Sequence, residues 1–119
     1  MKRVLIIDDE PDIREVLKEF CRILGFEAVI ADSGEKGLKL FRKDDFNLII
    51  SDLKMPDING FEFVKKVREK DKNIPIVICS GFIDDKNKEE ILNCGADFYL
   101  EKPFKMKELK KIFEKISLD

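Results

Sequence analysis

Two periodicities alternate along the 119-residue chain. Short apolar runs rich in β-branched and aromatic side chains stand at residues 4–7, 28–31, 48–50, 74–79 and 98–100. Runs this short, with little polar alternation, suit strands buried on both faces of a parallel sheet. Between them the spacing changes to three and four. Ile13, Val16, Leu17, Phe20, Cys21 and Leu24 form one apolar stripe, and Leu109, Ile112, Phe113 and Ile116 form another. Weaker stripes run through residues 38–41 and through Phe63, Val64 and Val67. Residues 86–94 make the weakest helical segment, with apolar weight only at Ile91 and Leu92. Pro11 suits a first helical turn, and Gly25 and Gly95 suit helix ends. The segment from Met55 to Gly60 is a loop, and no Gly-, Ser- or Pro-rich linker or low-complexity tract occurs. The pattern predicts a single (βα)5 domain with right-handed crossovers, parallel strands and helices on both faces.

The chemistry gathers where the apolar runs stop. In open α/β sheets a site lies beyond the carboxyl ends of the strands. The first run is followed by Asp8, Asp9 and Glu10, the second by Asp32 and Ser33, and the third by Ser51 and Asp52. The fourth is followed by Ser80 and Gly81, and the fifth by Glu101, Lys102 and Pro103. With the strands in the order 2-1-3-4-5, Asp8, Asp9 and Asp52 converge, and Ser80 and Lys102 arrive from the other side. Clustered carboxylates repel one another unless a cation joins them. Mg²⁺, a hard ion taking oxygen ligands, suits such a cluster, and Lys102 supplies a fixed positive charge opposite. A pocket of this kind suits a phosphoryl group on a carboxylate. Each residue alone has a plainer reading. Asp8, Asp9 and Glu10 also favour the positive end of the helix that follows, Asp52 also suits a turn, and Lys102 also suits solvent. The weight lies in their joint occurrence at the strand ends.

Composition removes several classes. The chain has no His, which excludes a Ser-His-Asp triad, an imidazole metal site or a phosphohistidine within it. A formal net charge of -2 disfavours nucleic-acid binding through phosphate contacts. Charged residues make up 40%, above the roughly 25% of a typical domain, and read mostly as solvated helix faces. The three cysteines, Cys21, Cys79 and Cys94, lie among apolar residues without a CxxC spacing. They read as core thiols in a reducing compartment. The N-terminus lacks a signal peptide or membrane span, so a cytoplasmic location is expected.

The segments VLIIDDEPDIR, LIISDLKMPDINGFEF, IVICSGF and GADFYLEKPF, in this order and spacing, resemble a bacterial two-component response-regulator receiver domain. The resemblance covers essentially residues 1–119. It implies a flavodoxin-like doubly wound sheet of order 2-1-3-4-5, with no attached effector domain expected. It implies that Asp52 is the phosphoacceptor, attacking the phosphohistidine of a sensor histidine kinase. Mg²⁺ would be bound by Asp9, Asp52 and the Lys54 backbone carbonyl, and by Asp8 through water. Lys102 would pair with the phosphoryl group, Ser80 would be the switch hydroxyl and Tyr99 the switch aromatic. The fourth helix, fifth strand and fifth helix would present the output, through a population shift between two states.

Ser80 stands where the family often has Thr, and Asn59 replaces a common Asp. Lys54 and Phe82, two residues after the phosphoacceptor and the switch hydroxyl, are bulky and are expected to hinder hydrolysis of the phosphoryl state.

Three other classes share features with this reading. A flavin mononucleotide binder of the same fold would need a Ser-, Thr- or Gly-rich loop after the first strand, where this chain has acids. A Mg²⁺-dependent phosphohydrolase would want an acid two residues after its nucleophile, where Lys54 stands. A phosphorylation-independent binding module usually lacks an acid or the lysine, and here all are present. Output through a docking target and relay to a histidine phosphotransfer protein both stay open, as do a monomer and a weak phosphorylation-dependent dimer.

Overall fold

A computed structural model describes residues 2–81 and 83–116. The elements are β1 Lys2–Ile7, α1 Pro11–Ile23, β2 Phe26–Ala31, α2 Gly34–Lys43, β3 Leu48–Ser51, α3 Gly60–Lys70, β4 Ile76–Ser80, α4 Asp85–Asn93, β5 Phe98–Glu101 and α5 Met106–Lys115. All strand pairs are parallel, in the order β2-β1-β3-β4-β5. This is the doubly wound (βα)5 architecture expected from the sequence.

Strand alternation divides the apolar residues between two cores. Leu5, Ile7, Ile49, Ile76 and Ile78 face α2, α3 and α4, packing with Leu38, Phe63, Val64, Val67 and Ile91. Val4, Ile6, Leu48, Ile50, Val77 and Cys79 face the other way, packing with Leu17 and Cys21 of α1 and Leu109 and Ile112 of α5. Because both faces are covered, the central strands are apolar at nearly every position, which is why they read as runs rather than alternations.

Local chemistry sets the helix ends. Pro11 opens α1. Side-chain oxygens of Ser33, Asn59 and Asp84 accept the amides of Lys36, Glu62 and Asn87 at 3.3, 2.9 and 2.8 Å. Gly25 and Gly95, with φ of 91° and 113°, take the left-handed conformation past the ends of α1 and α4.

Each strand differs from the sequence reading at one end or both: β1 begins two residues early at Lys2, and β3, β4 and β5 each run one residue further, to Ser51, Ser80 and Glu101. β4 begins at Ile76 rather than Ile74, because the Ile74 amide donates to Asp71 Oδ1 at 3.0 Å and Pro75 has no amide to give the ladder. β2 begins at Phe26, two residues early, since it pairs with the full length of β1.

Candidate functional site

Register brings the polar residues together. Ile7 pairs with Ser51 across β1 and β3, and Ser80 pairs with Glu101 across β4 and β5. The ladder then continues one hydrogen bond past the strand ends. The Asp8 amide donates to the Ala31 carbonyl at 3.1 Å, the Asp52 amide to the Ile7 carbonyl at 2.9 Å and the Lys102 amide to the Ser80 carbonyl at 2.8 Å. The residues after the runs are therefore held at sheet precision. Asp9, Glu10, Asp52, Lys54, Ser80, Gly81 and Lys102 line an open cleft of about 300 Å³.

Lys102 is the electrostatic centre. Its Nζ donates to Asp8 Oδ2 at 2.7 Å and Asp52 Oδ2 at 3.1 Å, and lies 3.4 Å from Glu10 Oε1. Burial alone would lower the ammonium pKa, but the Asp8 hydrogen bond and the Asp52 charge outweigh it and hold it raised. Asp8 is pulled both ways. Its own burial and the charge of Asp52 raise its carboxyl, Lys102 and the Glu10 amide lower it, and the balance is a raised pKa. Asp52 is pinned on both oxygens: Oδ1 accepts the Leu53 amide at 2.7 Å, and Oδ2 meets Lys102. Arg14 braces the neighbouring backbone by donating to the Asp8 carbonyl at 2.8 Å. Gly60 closes the loop behind Asp52. Its amide donates to the Leu53 carbonyl at 2.8 Å, and a Cβ there would stand 2.5 Å from the Asp52 carbonyl oxygen.

The carboxylate oxygens of Asp8, Asp9, Glu10 and Asp52 lie within 4.8 Å of one another. This is an all-oxygen, strongly anionic donor set, and Lys102 is already drawn into it. Both features fit a hard divalent cation.

The sequence-predicted residues fall in three places. Asp8 and Asp52 are buried at the floor, with Ser80 also buried beside them. Asp9, Lys54 and Lys102 line the cleft. Tyr99 is not among the lining residues. It points outward from β5, 36% exposed, with Lys88 Nζ 5.8 Å from its ring. Phe82 lies outside the described residues. Glu10, read from sequence only as a helix-start acid, joins the cluster; its adjacency to Asp8 and Asp9 was the available signal. Cys21 and Cys79 are buried, and burial pushes both thiols up to about 12, so neither offers a thiolate. Among the described residues no helix is long and apolar enough to cross a membrane.

The family model described as response regulator receiver domain matches residues 4–114. A probable transcriptional regulator, ycf27 of Porphyridium aerugineum, is 35% identical over 109 residues, covering 92% of this chain and 45% of that protein. The chain thus spans about half the length of the curated relatives it matches. Among solved structures, chemotaxis protein CheY4 of Vibrio cholerae superposes with a TM-score of 0.91 at 35% identity, covering 98% of both chains. Response regulator protein TrrA of Thermotoga maritima, solved in complex with Mg(2+)-BeF, gives 0.89 at 37% identity, covering 98% of this chain and 99% of that one.

Proposed function

The chain belongs to the response regulator receiver domain family of two-component signalling, and from that premise we propose that it works in the cytoplasm and that Asp52 is its phosphoacceptor, taking a phosphoryl group from the phosphohistidine of a sensor histidine kinase. The observation that carries this reading is the Asp52 carboxylate itself. It is nearly buried at the floor of an open cleft, held by an amide on one oxygen and a lysine on the other.

In the transfer, an Asp52 carboxylate oxygen forms a bond to phosphorus while the phosphorus–nitrogen bond of the donor breaks. The electron pair leaves with the imidazole. The backbone amide holds the carboxylate still, so attack needs little reorganisation. Phosphorylation converts the carboxylate that Lys102 faces into an acyl phosphate, the negative charge moves outward onto the phosphoryl oxygens, and the ammonium turns to one of them. Ser80 donates its hydroxyl to another phosphoryl oxygen, and Tyr99 turns inward from β5 as Ser80 moves. The α4–β5–α5 surface changes with it. The phosphorylated domain then docks a partner or passes its phosphoryl group to a histidine phosphotransfer protein.

Asp9, Asp52 and the Lys54 carbonyl would hold Mg²⁺, with Asp8 acting through water. TrrA, similar over the whole chain, binds Mg(2+)-BeF. When bound, the ion supplies charge neutralisation for the phosphoryl oxygens.

The test is intact-mass spectrometry after incubation with Mg²⁺ and acetyl phosphate, beside Asp52→Asn. One Mg²⁺-dependent phosphoryl adduct, absent from the variant, is expected. An adduct that persists in Asp52→Asn, or none in the wild type, overturns the assignment.

A further inference from the structure

The loop that carries the Lys54 carbonyl is fastened to α2 by contacts the phosphorylation reading does not use. Asp57 leans across from the β3–α3 loop onto the first turn of α2. Its Oδ1 accepts the Gly34 amide at 3.1 Å and its Oδ2 the Glu35 amide at 2.8 Å, while Oδ1 also accepts the Ile58 amide at 2.8 Å. The Ile58 and Met55 side chains occupy the space where a Cβ on Gly34 would project; Met55 Cε lies 3.3 Å from that position, and Ile58 Cγ1 is closer still. One face of the helix terminus therefore takes both the carboxylate and the apolar side chains of the loop.

The same helix is seated on the strand that carries the acids. A Cβ on Gly37 would stand 2.7 Å from Ile7 Cγ1, and Ile7 immediately precedes Asp8. A chain of contacts thus runs from β1, through α2, to the tip of the loop. The base of the loop is closed separately, by the Gly60 amide on the Leu53 carbonyl. Lys54 stands between these two anchors. A carbonyl ligand has no rotamer to adjust, so its position is the position of its loop.

We propose that Asp57 is a positioning residue for the Mg²⁺ site, fixing the Lys54 carbonyl relative to Asp8 and Asp9 by tying its loop to α2. This rests on the functional reading above, because it concerns the ligands that reading names. Partners that orient metal ligands typically change metal affinity by about tenfold or more when removed.

Calorimetric Mg²⁺ titration of the unphosphorylated protein tests it. Asp57→Ala is expected to raise the dissociation constant about tenfold. Asp57→Asn keeps one acceptor oxygen and should recover most of the loss. Gly34→Ala, which drives a methyl group into Ile58, should weaken binding with Asp57 intact. Ser33→Ala removes the other cap of the same helix, the Ser33 hydroxyl on the Lys36 amide, without touching the loop, and should leave affinity unchanged. Unchanged affinity in both Asp57→Ala and Gly34→Ala overturns the inference alone. Equal losses in Ser33→Ala and Asp57→Ala also overturn it, since helix stability would then suffice. No Mg²⁺ binding by the wild type overturns the functional reading and this inference with it.

Discussion

Viewed from the carboxyl ends of the strands, the β1–β3 side of the cleft and the β4–β5 side differ in what holds them. On the first side Asp8 and Asp52 are buried and hydrogen-bonded, and α3 behind them buries Gly60, Phe63, Val64 and Val67. On the second side α4 buries only Ile91, Leu92 is 51% exposed and Tyr99 faces out. The second side is fastened away from the cleft. Arg68 donates to the carbonyls of Gly95 at 2.9 Å and Ile74 at 2.8 Å, and to the Asp97 carboxylate at 3.0 Å. That clasp secures the C-terminal end of α4, leaving the end near Ser80 thinly packed. The acids thus sit on the consolidated side, and the side that the proposed switch would have to move is the thinly packed one.

Core truncation should show the contrast most strongly. Phe63→Ala, removing a fully buried ring, is expected to cost about 3–5 kcal/mol in urea unfolding. Leu92→Ala on α4 should stay within about 0.5 kcal/mol. Comparable losses would mean that the two sides are equally consolidated.

The electrostatic contrast comes next. Asp8 has a raised pKa, so the folded state holds that proton more tightly than the unfolded chain does. Stability of the Mg²⁺-free protein should then rise as pH falls from neutral toward the ordinary carboxylate range. Asp8→Asn should remove that slope and stabilise the metal-free protein by about 1 kcal/mol, because Lys102 keeps Asp52 at 3.1 Å. It should also weaken stabilisation by added Mg²⁺, since Asp8 would hold the ion only through water. The raised Lys102 pKa acts in the same direction at the alkaline end: its contribution is full below the ordinary lysine value and is lost as pH climbs through the raised one. Thermal melts across pH, with and without Mg²⁺, would read both; a flat wild-type profile on the acid side would contradict the assignment to Asp8.

The smallest effect concerns lifetime. Small residues at both Lys54 and Phe82 should speed loss of the phosphoryl group by about three- to tenfold, near 1 kcal/mol of barrier. An unchanged decay rate would mean that neither side chain screens the attacking water.

Much of this was legible in the sequence, for identifiable reasons. Strands buried on both faces leave apolar runs, so their ends, and the acids, serine and lysine after them, could be read directly. The weak stripe of 86–94 matched α4, whose sparse burial is the property that made it weak. What stayed hidden were pairings between distant residues. Asp57 has no local pattern marking it as a cap for α2, because its partners lie 22 and 23 positions earlier. The reach of Lys102 to Glu10, 92 positions away, depends on the register of strands that are not neighbours in sequence. Ile74 looked like strand because it opens an apolar run, and it is buried, but its amide is taken by a turn.

The contact between Lys102 and Asp8 joins positions 94 residues apart. During translation the acids of β1 and β3 leave the ribosome well before the lysine that neutralises them. A nascent or stalled chain ending ahead of β5 carries the carboxylate cluster without its internal counter-charge, and its sheet ends at an uncovered β4 edge. Like charges at one end and an open edge at the other work against compaction of such a fragment. The electrostatically balanced pocket therefore arises only once β5 has joined the sheet, so its neutrality belongs to the whole fold and to no shorter stretch of the chain.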